Sequence, residues 1–414
     1  MNARAPTAML DQPVVSTRKP LRIALVTETY PPEVNGVALT VARIAEGLRQ
    51  RGHELQLVRP RQAADGSAGH AGQPLRDVLV AGAPIPCYPH LRLGLPAGRE
   101  LRRLWRRRRP DLVHIATEGP LGWSALRAAR ELDIAVTSDF RTNFQAYSGH
   151  YRLGWLRGVI AAYLRRFHNL AGCTMVPTEA LRAELQAAGF ERTVVVARGV
   201  DTQRFSPARR SEALRRQWGV ADGDAVVLYV GRLAAEKNLE LLLQAFAAMQ
   251  KLNPRMQLVL VGDGPLRAAL GERCPKAVFA GQRSGVDLAA HYASADLFVF
   301  PSLTETFGNV TPEAMASGLP VLAFDHAAAG QLIEHGESGW LAAHGDAADF
   351  VRWAQHLAHE PAAARRAGQA ARRCALDLDW DGIVRQLETV FISALIAHRS
   401  LGPATSLLAR WGSA

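Results

Sequence analysis

Residues 296–318 read Asp-Leu-Phe-Val-Phe-Pro-Ser-Leu-Thr-Glu-Thr-Phe-Gly-Asn-Val-Thr-Pro-Glu-Ala-Met-Ala-Ser-Gly. The apolar run at 296–300 predicts a buried strand, and the polar residues begin where that strand gives way to a loop. Open α/β sheets bind ligands at that end. Thr311 fits a helix N-cap and Pro312 a first helical residue, which puts Glu313 in the first turn of a short helix closed by Gly318. The free N–H groups of such a turn favour an anion. Glu305 and Glu313 bracket the segment, and Gly308 lets a ligand approach the backbone between them. By themselves the two carboxylates read more readily as a helix-start residue, Glu313, and a solvated loop residue, Glu305. Taken with the N–H donors, they suit a ligand that carries both hydroxyls and phosphate, as a nucleotide-sugar does.

The same strand, loop and helix pattern recurs on either side. Residues 225–230 read as a strand, 231–238 as a polar turn, and Leu239 opens a helix. Arg232 and Lys237 stand just before that helix, where two cations can neutralise a diphosphate leaving group. A strand at 257–261 runs into Gly262-Asp-Gly-Pro265, and one at 278–281 into Gln282-Arg283. Near the start, a strand at 21–26 leads through a polar loop ending in Asn35-Gly36 to a helix carrying Val37, Val41, Ile44 and Leu48, and then to a strand at 54–58. This is the first unit of a nucleotide-type parallel sheet. Further strands are expected at 111–115, 175–178, 194–197 and 321–324, and helices at 151–170, 346–373 and 380–397. Residues 61–100, rich in Ala, Gly and Pro, read as loop with weak strands. Domain boundaries follow: a disordered tail at 1–20, Rossmann-like domains at 21–197 and 198–379, and a terminal helical segment at 380–414.

The 414 residues are 48% hydrophobic and 21% charged, enough for two cored domains and unlike a disordered or fibrous chain. Cys87, Cys173, Cys274 and Cys374 form no C-x2-C pair, which argues against a zinc site and a disulfide framework and points to a reducing cytoplasm. No apolar run is long enough to span a bilayer. The net charge of +11 calls for an acidic partner. Zinc-finger spacing, aromatic ribonucleoprotein motifs and basic-region heptads are missing, so nucleic acid is not the expected one. Arg99, Arg102, Arg103, Arg106, Arg107, Arg108 and Arg109 cluster around Leu101, Leu104 and Trp105, which fits a solvated helix face and an element docked on anionic lipid equally. Asp222-Gly-Asp224 and Asp377-Leu-Asp379 match a metal-binding D-x-D pattern by letters, yet neither follows a buried strand, and no essential metal or other cofactor is expected.

The segment at 301–318 resembles the E-x7-E motif of the retaining glycosyltransferases of family 4, and the likeness extends over residues 21–397 through Gly36, Arg232, Lys237, the Gly262 motif and the "Gly-Val-Asp…Phe…Pro" of 199–207. That resemblance implies the GT-B architecture, two facing Rossmann-like domains with the terminal helix crossing back to the first. It implies that Glu313 holds the ribose, that Glu305 faces the transferred sugar, and that the Phe307-Gly308-Asn309-Val310 backbone lies against sugar and diphosphate. Arg232 and Lys237 would neutralise the diphosphate, Gly262 and Arg283 would line the donor and base pocket, Asn35 and Gly36 would meet the diphosphate from the first domain, and Glu118 would line the acceptor cleft. Where many relatives carry a histidine beneath the donor sugar this chain has Arg141, which cannot accept a proton as imidazole does; His150 and His168 are the alternatives. The implied reaction is metal-independent transfer of a hexose, mannose favoured, from GDP-mannose or a UDP-sugar to a lipid or glycan acceptor at the inner face of the membrane. The alternatives are a UDP-sugar-dependent glycolipid, lipopolysaccharide or polysaccharide glycosyltransferase and, from other classes, a sugar-nucleotide epimerase or a non-catalytic binding module.

Overall fold

The structure, a computed structural model, describes residues 19–33, 35–62, 65, 76–85, 88–141 and 157–400. The first sheet comprises β1 (Arg22–Val26), β2 (Glu54–Pro60), β3 (Arg76–Val80), β6 (Leu112–Ile115), β7 (Ala135–Asp139), β8 (Cys173–Val176) and β9 (Thr193–Val195). A separate antiparallel hairpin pairs β4 (Gly82–Ile85) with β5 (Tyr88–Gly94). The second sheet comprises β10 (Val226–Val230), β11 (Gln257–Val261), β12 (Val278–Gly281), β13 (Leu297–Phe300), β14 (Val321–Phe324) and β15 (Gly339–Ala342).

Every pairing within the two large sheets is parallel. The strand orders are β3-β2-β1-β6-β7-β8-β9 and β12-β11-β10-β13-β14-β15. Strand order reverses between β1 and β6 in one sheet and between β10 and β13 in the other. The crevices that receive ligands in such sheets therefore open beside the loops that follow β1, β10 and β13. Helices cover both faces of these strands, so β10 and β13 are apolar and buried at every residue, and β1 is so after the exposed Arg22.

Several local expectations need correction. The helix after β13 spans Val310–Ala316, so Thr311 and Pro312 are its second and third residues, both buried, and Asn309 occupies the cap position. Residues 61–100 hold an edge strand of the main sheet and a hairpin, more order than a composition rich in Gly and Pro suggests. The helical stretch at 346–373 is two helices, Ala347–His359 and Pro361–Leu376, divided where Pro361 has no N–H to continue the first. Strand β15 escaped notice because its four residues carry little pattern. The expected tail at 1–20 lies, apart from Lys19 and Pro20, outside the described residues, as do residues 401–414.

Helix Trp380–Ser400 returns to the first domain, where Val384, Leu387, Phe391 and Leu395 join Ile23, Leu25, Val41, Ile44 and Leu48 in one buried cluster. Arg51 and His53 both bind Glu388 at the edge of this contact, at 2.8 and 3.1 Å. Helix Gly36–Gln50 approaches so closely that a Cβ on Gly47 would lie 2.6 Å from Val384. Gly47→Leu is therefore expected to push the two helices apart and to destabilise the fold by about 1–3 kcal/mol, read from urea unfolding.

Candidate active site

The loop after β10 and the loop after β13 are locked together. Lys237 Nζ donates to Glu305 Oε1, which also accepts from Ser302 Oγ at 2.7 Å. Asn238 Nδ2 donates to the Pro301 carbonyl at 3.2 Å, and Thr304 Oγ1 to that of Glu236 at 3.3 Å. Burial opposes the charge on Glu305, but Lys237, Ser302 and the nearby Arg198 outweigh it and hold the carboxyl below its usual range. Arg232 lies at the rim, half-exposed, with Glu236 Oε1 3.3 Å away. Sequence had separated Lys237 and Glu305 by 68 residues; the fold makes them a pair.

Glu313 projects from the first turn of helix Val310–Ala316 and accepts a hydrogen bond from the Tyr292 hydroxyl at 3.0 Å. Burial raises its pKa to about 7, although Tyr292 and Arg204 pull the other way. Arg372 ties down the opposite end of this helix, donating to the carbonyls of Ala316 at 2.5 Å, Phe205 at 2.8 Å and Thr202 at 3.0 Å. Phe307 is buried, and its carbonyl accepts from Ala328 N at 2.8 Å. Gly308 has φ +87°, a left-handed conformation that suits glycine. Gly262, with φ +136°, leaves no room for a side chain, since a Cβ there would meet the Gly231 carbonyl oxygen at 1.9 Å. Arg283 sits just beyond β12 at the sheet edge, half-exposed and bound to Asp287 at 3.2 Å.

The first domain faces this arrangement directly. A Cβ on Gly36 would lie 3.4 Å from Asn309 Nδ2, so the loop after β1 meets the segment after β13. Asn35 has a structural role beside the expected one. Its Oδ1 caps helix Gly36–Gln50 by accepting from Ala38 N at 2.8 Å, and its Nδ2 donates to Thr29 Oγ1 at 2.7 Å, which commits the side chain to structure.

Arg141 is buried and donates to Asp139, whose other partner is His114 Nε2 at 3.1 Å. Burial opposes that carboxylate, yet Arg141 and His114 together hold it far below the ordinary range. His168 is sealed between Glu118 and Ser138, with Ser138 Oγ 3.0 Å from its Nδ1, and His150 lies outside the described residues. Glu118 is buried too, 3.4 Å from His168 Nε2.

Three residues of the site escaped the sequence reading. Glu28 accepts from Leu121 N at 3.0 Å and Gly94 N at 3.2 Å, and burial above all, with Glu118 adding to it, raises its pKa to about 7. Tyr292 stands on helix Gly285–Ala293 with an ordinary helical sequence around it. Arg198 lies where the two domains join, and its one visible signal in the sequence is a cation beside an apolar strand. Its Nη1 donates to Asn309 Oδ1 at 3.3 Å and its guanidinium lies 5.5 Å above the Phe307 ring.

Two facing parallel-sheet domains with these loops at their switch points define a GT-B glycosyltransferase. The descriptions "Glycosyltransferase Family 4" and "Glycosyl transferases group 1" match residues 34–204 and 210–374. The chain is 38% identical over 369 residues to a GDP-mannose-dependent alpha-mannosyltransferase of Mycobacterium tuberculosis, covering 89% of this chain and 95% of that one. It is 36% identical to the enzyme of the same description in Mycolicibacterium smegmatis, over 92% and 99% of the two chains. The fold also matches sucrose-phosphate synthase from Thermosynechococcus elongatus, with TM-score 0.73 and 20% identity over 91% of this chain and 100% of the other. This chain belongs to the family 4 glycosyltransferases, and it is an enzyme of hexosyl transfer.

Proposed function

We propose that the chain transfers mannose from GDP-mannose, with retention of configuration and without a metal, to a lipid-linked or glycan acceptor held on the first domain. The observation that carries this reading is the Lys237–Glu305 pair beneath the Phe307–Asn309 segment, with Gly36 facing that segment from the other domain. A sugar diphosphate laid there would place its phosphates near Lys237 and Arg232 and its ribose at Glu313. The bond from the anomeric carbon to the diphosphate oxygen breaks while a bond to the acceptor oxygen forms on the same face, and the acceptor proton passes to the departing diphosphate. Charge grows on that diphosphate as the bond breaks, so the two cations stabilise the transition state more than the bound donor. The similarity to GDP-mannose-dependent mannosyltransferases supports the choice of donor. The test is incubation with GDP-mannose and a membrane lipid extract in EDTA. Mannose joined in an α linkage supports the reading; free mannose and nucleotide without an acceptor product would favour the epimerase-like alternative.

A lipid acceptor is supported by helix Gly98–Arg107, which buries Leu101 and Trp105 and exposes Arg99, Arg103, Arg106 and Arg107. Arg102 is bound to Glu131 at 2.9 Å, Arg108 to Glu54, and Arg109 to the Asp133 carbonyl at 2.6 Å, so these belong to the fold. Among the described residues, no helix is long and apolar enough to cross a membrane. Each exposed arginine near an anionic surface is worth about 1 kcal/mol. The triple change of Arg103, Arg106 and Arg107 to Ala is expected to reduce co-sedimentation with phosphatidylglycerol vesicles by roughly 100-fold in affinity. Binding that ignores both the substitutions and added salt would remove this surface from the account.

A further inference from the structure

Arg198 touches Asn309 and Phe307 of the segment proposed to hold the donor, and the charge of Arg141 acts on it. Each is only 7% exposed, and each keeps a buried nitrogen, Arg141 Nε and Arg198 Nη2, that finds no acceptor among the described residues. A buried donor left unmade is costly, and a buried cation without a counter-charge is costlier. The other charges nearby are matched: Arg141 with Asp139, Lys237 with Glu305. Arg198 makes no ion pair among the described residues: it has the neutral Asn309 oxygen at 3.3 Å and the face of Phe307, while Asp139 and Glu305 favour its charge only from a distance and are each paired with another cation. Burial, helped by Arg141, pushes its pKa down to about 9, so it is still charged at neutral pH. Residues 142–156 contain no Asp or Glu, and outside the described residues the sole acidic side chain is Asp11 in the N-terminal stretch. A cavity of ≈ 20 Å³ adjoins both side chains, bounded also by Asp139 and Trp380, with room for about one water-sized atom.

We propose that Arg141 and Arg198 form an oxyanion subsite between the two domains, which receives a carboxylate or phosphate carried by one of the two reacting sugars. This rests on the transferase reading, because it names a property of that enzyme's substrate. A planar guanidinium offers paired N–H donors to such a group, and the two unused nitrogens supply donors that the fold leaves open. Arg198 then gains a directly bonded counter-ion only when substrate is present. The subsite selects for an anionic sugar over its neutral isostere, since the neutral one leaves both donors unpaired.

The test measures affinity ratios by titration calorimetry. On the acceptor side, octyl β-D-glucuronide is compared with octyl β-D-glucoside; on the donor side, GDP-mannuronate is compared with GDP-mannose. In the unmodified protein one of the pairs is expected to show a preference for the anionic member of about tenfold or more. Which pair shows it identifies the source of the anion. The ratio is expected to fall to about one in Arg198→Gln and to be partly kept in Arg198→Lys; because it is taken within each variant, a general loss of affinity cancels. No preference in either pair, or a preference that survives Arg198→Gln, would overturn the proposal. So would a result in which Arg198→Gln weakens GDP itself and leaves both ratios unchanged, since the guanidinium would then serve the donor diphosphate. Failure of the unmodified protein to bind any nucleotide, with the glucuronide preference intact, would sink the transferase reading and leave the oxyanion subsite standing.

Discussion

Lys237→Ala is expected to lower turnover at least ~100-fold, the scale on which removal of one preorganised donor to a developing oxyanion acts. The same change strips Glu305 of its cation. The two side chains are only 14% and 16% exposed, so water does little to compensate, and a stability loss of about 1–3 kcal/mol accompanies the loss of activity. The two effects separate in a double variant. Lys237→Ala with Glu305→Ala removes both charges, so urea unfolding is expected to show stability largely recovered while turnover stays low. The pair also sets a pH dependence. Because the Glu305 pKa is depressed in the folded state, its contribution is present above about pH 4.5, the ordinary carboxyl value, and is lost as pH falls through the lower folded value. Turnover within a few-fold of the unmodified protein in Lys237→Ala would show that the diphosphate is neutralised elsewhere.

Glu313 has the opposite sign. Its pKa is raised to about 7, so between about pH 4.5 and 7 the folded protein holds a proton that the unfolded chain has lost. Stability of the ligand-free protein therefore falls as pH rises across that window and stays lower above it. Glu28 titrates over the same range, so the difference between the unmodified protein and Glu313→Gln isolates the residue of interest. At pH 8 the variant is expected to be the more stable, by roughly 1–2 kcal/mol after allowance for the partial solvent access of the side chain. Donor binding goes the other way. An ionised carboxylate can accept from two ribose hydroxyls, so affinity is expected to rise as pH passes through about 7 in the unmodified protein and to be flat in Glu313→Gln. Glu313→Ala is expected to weaken the donor by about 100-fold. A pH profile identical in the two proteins would contradict the assignment of the ribose to Glu313.

Sequence alone carried the architecture because parallel strands buried on both faces are continuous apolar runs, and because the polar turns after 230, 261 and 300 interrupt them sharply. It placed Lys237, Glu305 and Glu313 at strand ends for the same reason. What it could not carry was pairing across the fold. Tyr292 reaches Glu313, and Arg372 secures the helix that bears it, through contacts that no periodicity records. Arg198 lay hidden in a stretch that reads as linker, and its burial follows from the closeness of the two domains. Asn35 also serves the fold, since its side chain forms a cap that any Asn at a helix entrance can form. Helix boundaries moved by two residues at Val310 because Thr and Pro are good early residues in a helix without being its start.

On this reading the second domain binds a nucleotide-sugar through Glu313. This is tested most directly by the melting temperature of the purified protein with GDP-mannose, UDP-glucose and ADP-glucose, without added metal, in the unmodified chain and in Glu313→Ala. GDP-mannose is expected to raise the melting temperature of the unmodified protein and to leave that of Glu313→Ala unchanged. A chain that no donor stabilises, or an equal rise in both proteins, would contradict it.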